Sequence, residues 1–147
     1  MTSGPRPGEV ALAEDPALAK PDGHVVFIGR IHSPWKERGD CPHNLTEARA
    51  RLSADSTLKR PWVEVSPELA PGLTGLEVNI QIILIYWMDL ARRDLIIQAP
   101  RHAPEPRGVF SLRSPVRPNP IALAVVTATA IDLAHGRIDI DAIDCSD

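Results

Sequence analysis

Cysteine is scarce in this chain: two residues in 147, Cys41 and Cys145. Two thiols do not make the disulfide framework that staples small secreted folds. A single bridge between them stays open. Read as reduced thiols, they fit a cytoplasmic, bacterial-type location. Long apolar runs are missing too. The longest, Ile80–Met88, contains Gln81 and falls short of the roughly 20 residues that cross a bilayer. Residues 1–23 have no apolar segment of the signal-peptide kind. No membrane association is therefore expected.

Several chemical signatures are also absent. The nine glycines include no G-x-G-x-x-G between a strand and a helix, which argues against a Rossmann-type nucleotide fold. The five histidines are scattered, and neither C-x-x-C nor H-E-x-x-H occurs, so no metal site is expected. His24 and His135 read as residues of strand ends or turns. There is no G-x-S-x-G, and no acyl-transfer triad is visible.

What remains is an ordinary globular composition, 44% hydrophobic and 24% charged, in one domain large enough to bury a core. The net charge of −3 argues against general affinity for nucleic acid, but its distribution is uneven. Ala91–Arg117 carries Arg92, Arg93, Arg101, Arg107, Arg113 and Arg117 against Asp94 and Glu105. Ile131–Asp147 carries Asp132, Asp139, Asp141, Asp144 and Asp147 against Arg137. A basic stretch beside an acidic one suits a ligand with an anionic and a cationic end.

Residues 1–23 hold four prolines and three glycines and read as a flexible N-terminal arm, leaving 24–147 as the folded domain. His24–His32 predicts a first strand. Asn44, followed by Glu47, predicts a helix N-terminus, with Leu45, Ala48 and Leu52 at helical spacing. Pro61–Ser66 is a strand, and Pro67–Gly72 a turn with a helical character. Val78–Met88, apolar on both faces, predicts a central strand. Leu95–Gln98 and Val109–Leu112 are short strands. Ile121–Leu133 and Arg137–Ile143 form a hairpin about Ala134-His135-Gly136. About seven closely spaced strands with one or two short helices predict a mainly β fold, a single compact antiparallel β-barrel.

One stretch stands apart: Gly108-Val-Phe-Ser-Leu-Arg113-Ser-Pro-Val-Arg117-Pro-Asn119-Pro-Ile-Ala-Leu123. Pro115, Pro118 and Pro120 fix their own φ and push Ser114, Arg117 and Asn119 out of the α region. The expectation is a stiff, extended rail. Side chains alternate along it, so Arg113 and Arg117 would point the same way, about 13 Å apart at roughly 3.3 Å per residue. Such a rail can bind carboxylates or phosphates without first ordering a loop.

The run Arg-Ser-Pro-Val-Arg-Pro-Asn-Pro-Ile after Gly-Val-Phe resembles the signature of the TsaA-like/TrmO (YaeB-like) family of S-adenosylmethionine-dependent tRNA methyltransferases. Ile28-Gly-Arg-Ile-His-Ser-Pro-Trp-Lys36 with Pro42-His43-Asn44, and Leu73-Thr-Gly-Leu-Glu77, are further matches. The resemblance covers about residues 24–147. It implies a methyltransferase acting on N6 of threonylcarbamoyl-modified adenosine 37 in tRNA, and a homodimer. Position by position, it implies a cofactor site of Pro42, His43, Asn44, Asp89, Leu90, Arg113, Leu123, Asp141, Ala142, Ile143 and Asp144. Arg113 would pair with the cofactor carboxylate, and Leu90 and Leu123 would touch its adenine.

Arg92, Arg93, Arg101, Arg107 and Arg117 are the candidates for tRNA contacts. Trp35, Tyr86 and Trp87 are candidates for base stacking, the last two more naturally for core packing. The proton acceptor is not assignable from sequence. The chain departs from the family in having His43-Asn44 for Arg-Gln, Asp89 for His and Ala122 for Gly. It also stops at Asp147, where the family continues with Asp-Gly-Thr-Pro and Asp-x-Lys-Pro-Tyr. Two other readings stay open: a non-enzymatic β-barrel that binds an adenosyl ligand or RNA, and a small-molecule methyltransferase.

Overall fold

A computed structural model describes residues 4–101 and 103–147. The chain forms two compact units, Met1–His24 with Ile85–Leu123, and Val25–Leu84 with Ala124–Asp147. The first three residues of the predicted arm lie outside the described residues.

Most of a five-stranded sheet lies in the larger unit. Strands β2 (Gly29–His32), β3 (Trp62–Val65), β4 (Gln81–Trp87), β7 (Ile121–Asp132) and β8 (Arg137–Ile140) take the order β2-β3-β8-β7-β4. The pairs β2–β3, β3–β8 and β7–β8 are antiparallel. The expected β7–β8 hairpin is present. Asp132 accepts the His135 N–H at 3.2 Å, and Gly136 supplies the left-handed turn residue at φ 62°. Helix α1 (Leu45–Ala54) buries Ala48 and Leu52, one turn apart. These pack in a core that includes Val65, Ala124, Val126, Ala128, Ile138, Ile140 and Ile143. On the other face of the sheet His32 stacks on Trp62 with ring centroids 4.0 Å apart, and Arg137 lies 4.3 Å from the Trp62 ring centre.

The smaller unit holds a three-stranded sheet, β1 (Val10–Ala11), β5 (Leu95–Gln98) and β6 (Arg107–Gly108), with β5 in the middle. Leu95, Val109 and Val116 form its buried cluster, with Ala11 and Ile96 packed against it. The composition of residues 1–23 gave no reason to expect a strand, yet Val10 pairs with Ile97. Leu12 N–H also donates to Asp94 at 2.6 Å, and Arg6 donates to the Ala99 carbonyl at 2.7 Å.

The fold is mainly β, with its strands in two sheets. Among the described residues no ladder joins β2 to β4. Three further expectations change. β4 lies at a sheet edge, not the centre: its apolar Ile83 and Ile85 are 62% and 71% exposed, so apolarity on both faces did not mean burial on both. Residues 24–28 do not join β2, and Val25–Ile28 stay exposed. Val109–Ser111 is a 3-10 turn, not a strand, because the smaller sheet's ladder ends at Gly108.

Gly29 sits opposite Val65, and a Cβ there would overlap the Glu64 carbonyl oxygen. That oxygen is fixed in the sheet and cannot swing aside. Gly29→Ala should destabilise the protein by about 3 kcal/mol, lowering Tm by roughly 10 °C in a thermal melt. Gly39→Ala, where no atom lies near the added methyl, should leave Tm within about 2 °C.

Candidate functional site

The segment after β8 has no ladder, and other parts of the larger unit satisfy its polar groups. Buried Ser33 donates its Oγ proton to the Cys145 carbonyl at 2.6 Å. Trp35 Nε1 donates to the Ile143 carbonyl at 2.7 Å. Lys36 Nζ pairs with Asp147 at 2.6 Å, and the Asp147 N–H returns to the Trp35 carbonyl at 2.9 Å. Asp147 also accepts from Ser33 N at 3.2 Å, and these partners hold its carboxyl below the usual range, Lys36 chief among them. Ser33-Pro-Trp-Lys36 is therefore a clamp on the C-terminal segment. The sequence offered Trp35 for stacking on a base. At 5% exposure, with its N–H committed, Trp35 is a buried anchor.

Asp141 is fixed by its own side chain. One carboxylate oxygen accepts the Thr127 N–H at 2.8 Å, and the other accepts Arg49 Nε at 2.7 Å. Its N–H donates to the Thr127 carbonyl at 3.1 Å. Asp141–Asp144 was expected on the last strand, but β8 ends at Ile140. The next residues differ in kind. Ala142 and Ile143 are fully buried. Among the described residues, the N–H and carbonyl of Ala142 and the N–H of Ile143 have no hydrogen-bond partner. Nearly all buried main-chain groups in proteins are paired, so this short stretch is exceptional.

Pro42, His43 and Asn44 lead into α1. Pro42 is buried, while His43 and Asn44 are exposed. Asn44 caps the helix, accepting the Glu47 N–H at 2.9 Å. Glu47 reaches back to the His43 N–H at 3.0 Å and to the His43 ring at 2.9 Å, and it also pairs with Arg51. The His43 main-chain bond, then its ring and Arg51, pull the Glu47 carboxyl down to about 2. Burial first, with the neighbouring Asp144 carboxylate adding to it, pushes the Cys145 thiol up to about 12. Both cysteines are free, and neither thiol is activated.

In the smaller unit the rail is not extended. Residues 112–119 make a series of bends, and Arg117 folds back to donate to the Leu112 and Ser114 carbonyls at 3.1 Å each. The bends expose carbonyls that a nearby guanidinium satisfies. Arg93 is similarly occupied, donating to the Pro118 carbonyl at 2.6 Å and lying over Trp87 at 5.2 Å. Arg92 makes a two-point pair with Asp94, at 2.9 and 2.6 Å. Arg101, Arg107 and Arg113 are exposed, and among the described residues their guanidiniums have no hydrogen-bond or ion-pair partner. Asp89 and Leu90 occupy an exposed turn after β4, with Leu90 88% exposed. Leu123 is 54% exposed on β7.

The model of the tRNA-methyltransferase O N-terminal domain matches residues 30–147. The chain belongs to this family. A relative named probable S-adenosyl-L-methionine-binding protein VirR, from Rhizobium radiobacter, is 32% identical over 142 residues, covering 97% of this chain and 73% of the relative. A probable S-adenosyl-L-methionine-binding protein of Archaeoglobus fulgidus is 36% identical over 121 residues, 80% of this chain and 30% of that one. The crystal structure of TrmO from Pseudomonas aeruginosa matches with a TM-score of 0.56 and 28% identity, over 85% of this chain and 51% of that chain. The chain thus spans about half the length of the solved TrmO protein.

The Glu47 network gives a signed acid dependence. The His43 main-chain bond, the His43 ring and Arg51 hold its folded carboxyl down at about 2, below the ordinary glutamate range. The added stability is fully present above about pH 4.5 and is lost as pH falls toward 2. Wild type should therefore melt above Glu47→Gln at pH 6, with the gap closing by pH 2. A gap that does not change over that range would contradict the network.

Proposed function

We propose that this chain binds S-adenosylmethionine and works as a methyltransferase on tRNA, with N6 of threonylcarbamoyl-modified adenosine 37 as acceptor. The reading rests most directly on the unpaired main chain of Ala142 and Ile143. Adenine presents an amino donor beside ring-nitrogen acceptors, the complement of one carbonyl and neighbouring N–H groups. The residues thus fit the ligand in kind. Ala142 and Ile143 would read the adenine edge, Pro42 would give it apolar contact, and His43, Asn44 and Asp144 would border it. Asp89, Leu90, Arg113 and Leu123, which the resemblance implies as cofactor contacts, lie in the smaller unit, where the Arg113 guanidinium is the group suited to a carboxylate.

The cofactor supplies a methyl group already activated on a sulfonium. The protein's own part is to hold that methyl in line with the acceptor nitrogen and to exclude water. Of the five arginines read from sequence as tRNA contacts, Arg101 and Arg107 are the better candidates, since Arg92, Arg93 and Arg117 have partners within the chain. We further propose a homodimer and a cytoplasmic setting. Exposed Ile83 and Ile85 on β4, and Ile121, Leu123 and Val125 on β7, favour association of two copies. No helix among the described residues is long and apolar enough to cross a membrane.

Thermal-shift titration tests the cofactor step. At 100 times its Kd, S-adenosylmethionine should add about 2.7 kcal/mol of stability. Arg113→Ala should weaken this response by about tenfold in Kd, and Arg101→Ala by less than twofold. Methyl transfer to bulk tRNA that carries the threonylcarbamoyl group but not the N6 methyl should follow, and RNase should abolish it. Equal cofactor affinity in the two variants would remove Arg113 from the site. Binding without transfer would favour the non-enzymatic reading.

A further inference from the structure

Arg49 and Asp141 lie 92 residues apart in the chain and meet within the larger unit. Arg49 is on the second turn of α1, whose N-terminus carries Pro42, His43 and Asn44. Asp141 is the residue before Ala142. Sequence and resemblance together gave Asp141 a direct part in ligand binding and gave Arg49 none.

The contacts point elsewhere. Both Asp141 oxygens are occupied, one by the Thr127 N–H and one by Arg49 Nε. Arg49 Nη2 also donates to the Val125 carbonyl at 3.2 Å. One guanidinium therefore ties α1 both to β7 and to the start of the 141–144 segment. The β7–β8 register slips between Ala128 and Ala130, so the ladder does not carry this segment on its own. An isolated surface ion pair is worth little. This one belongs to a network of two side-chain-to-backbone bonds and one charge-assisted bond, and the Asp141 side chain is only 25% exposed.

We propose that Arg49 is a positioning residue for the cofactor site, and that Asp141 acts through Arg49 and Thr127 instead of touching the ligand. The pair sets the separation between the His43–Asn44 corner and the unpaired main chain of Ala142 and Ile143. The assignment rests on the cofactor reading given above. Lysine can replace the charge but not the fork that bonds Asp141 and Val125 together.

The test compares wild type, Arg49→Ala, Arg49→Lys, Asp141→Asn, the double variant Arg49→Ala/Asp141→Asn, and Arg137→Ala. The last breaks a different ion pair of the larger unit, with Asp139, and controls for lost stability. Calorimetric Kd for S-adenosylmethionine is read at a temperature where all are folded, and amide hydrogen exchange is read without ligand. Arg49→Ala and Asp141→Asn should each raise Kd by about tenfold, the middle of the range for coupled side chains. The double variant should be no worse than the weaker single one, and Arg49→Lys should recover part of the loss. Arg137→Ala should lower Tm with Kd unchanged.

Exchange should quicken at 43–48 and at 142–144 in Arg49→Ala but not in Arg137→Ala. Unchanged Kd in Arg49→Ala overturns the proposal, as do factors that multiply in the double variant, since Asp141 would then act independently of Arg49. A wild-type chain that does not respond to S-adenosylmethionine overturns the cofactor reading itself, whatever the exchange data show about the pair.

Discussion

The C-terminal segment is held by side chains at alternate residues, and the rest of the site depends on that. Asp141 is bound through its carboxylate to Thr127 and Arg49. The carbonyl of Ile143 is bound by Trp35, and that of Cys145 by Ser33. A chain beyond its last ladder must satisfy its polar groups locally or leave them costly, at about 1–3 kcal/mol for each buried orphan. Here the clamp stops short of doing so at Ala142 and at the Ile143 N–H. Those groups are fixed in direction by their pinned neighbours, and pre-set polar groups bind a ligand without an ordering cost.

This explains why two distant stretches belong together. Ser33-Pro-Trp-Lys36 and the acidic tail looked like separate features, part of a family motif and an uneven charge. They are one structure: Ser33, Trp35 and Lys36 of the loop donate to the tail, and the Asp147 N–H returns a bond to the Trp35 carbonyl. The acidic excess of Ile131–Asp147 is largely consumed internally, with Asp132 on His135, Asp139 on Arg137, Asp141 on Arg49 and Asp147 on Lys36. The basic excess of Ala91–Arg117 is consumed only in part: among the described residues the guanidiniums of Arg101, Arg107 and Arg113 have no partner.

Much of the local structure was legible. Asn44 with Glu47 marked the start of α1 because capping needs nearby residues only, and the Ala-His-Gly turn marked the β7–β8 hairpin for the same reason. Strand order was not legible. β4 read as central because its isoleucines alternate with other apolar residues, and sequence cannot tell an exposed apolar face from a buried one. The proline rail failed similarly. Fixed φ values suggested an extended chain, but ψ remained free, and the Arg117 side chain closes the bends. The partners of Asp141 were beyond reach, since no pattern in sequence links it to Arg49. Family resemblance pointed to the segment but not to the way it is held.

Chemical-shift mapping of the 15N-labelled chain during titration with S-adenosylmethionine tests the central claim most directly. The account predicts saturable shifts that are largest at the Ala142 and Ile143 amides, with His43 and Asn44 following at the same midpoint. Saturable shifts confined to other residues, or none at millimolar ligand, would contradict it.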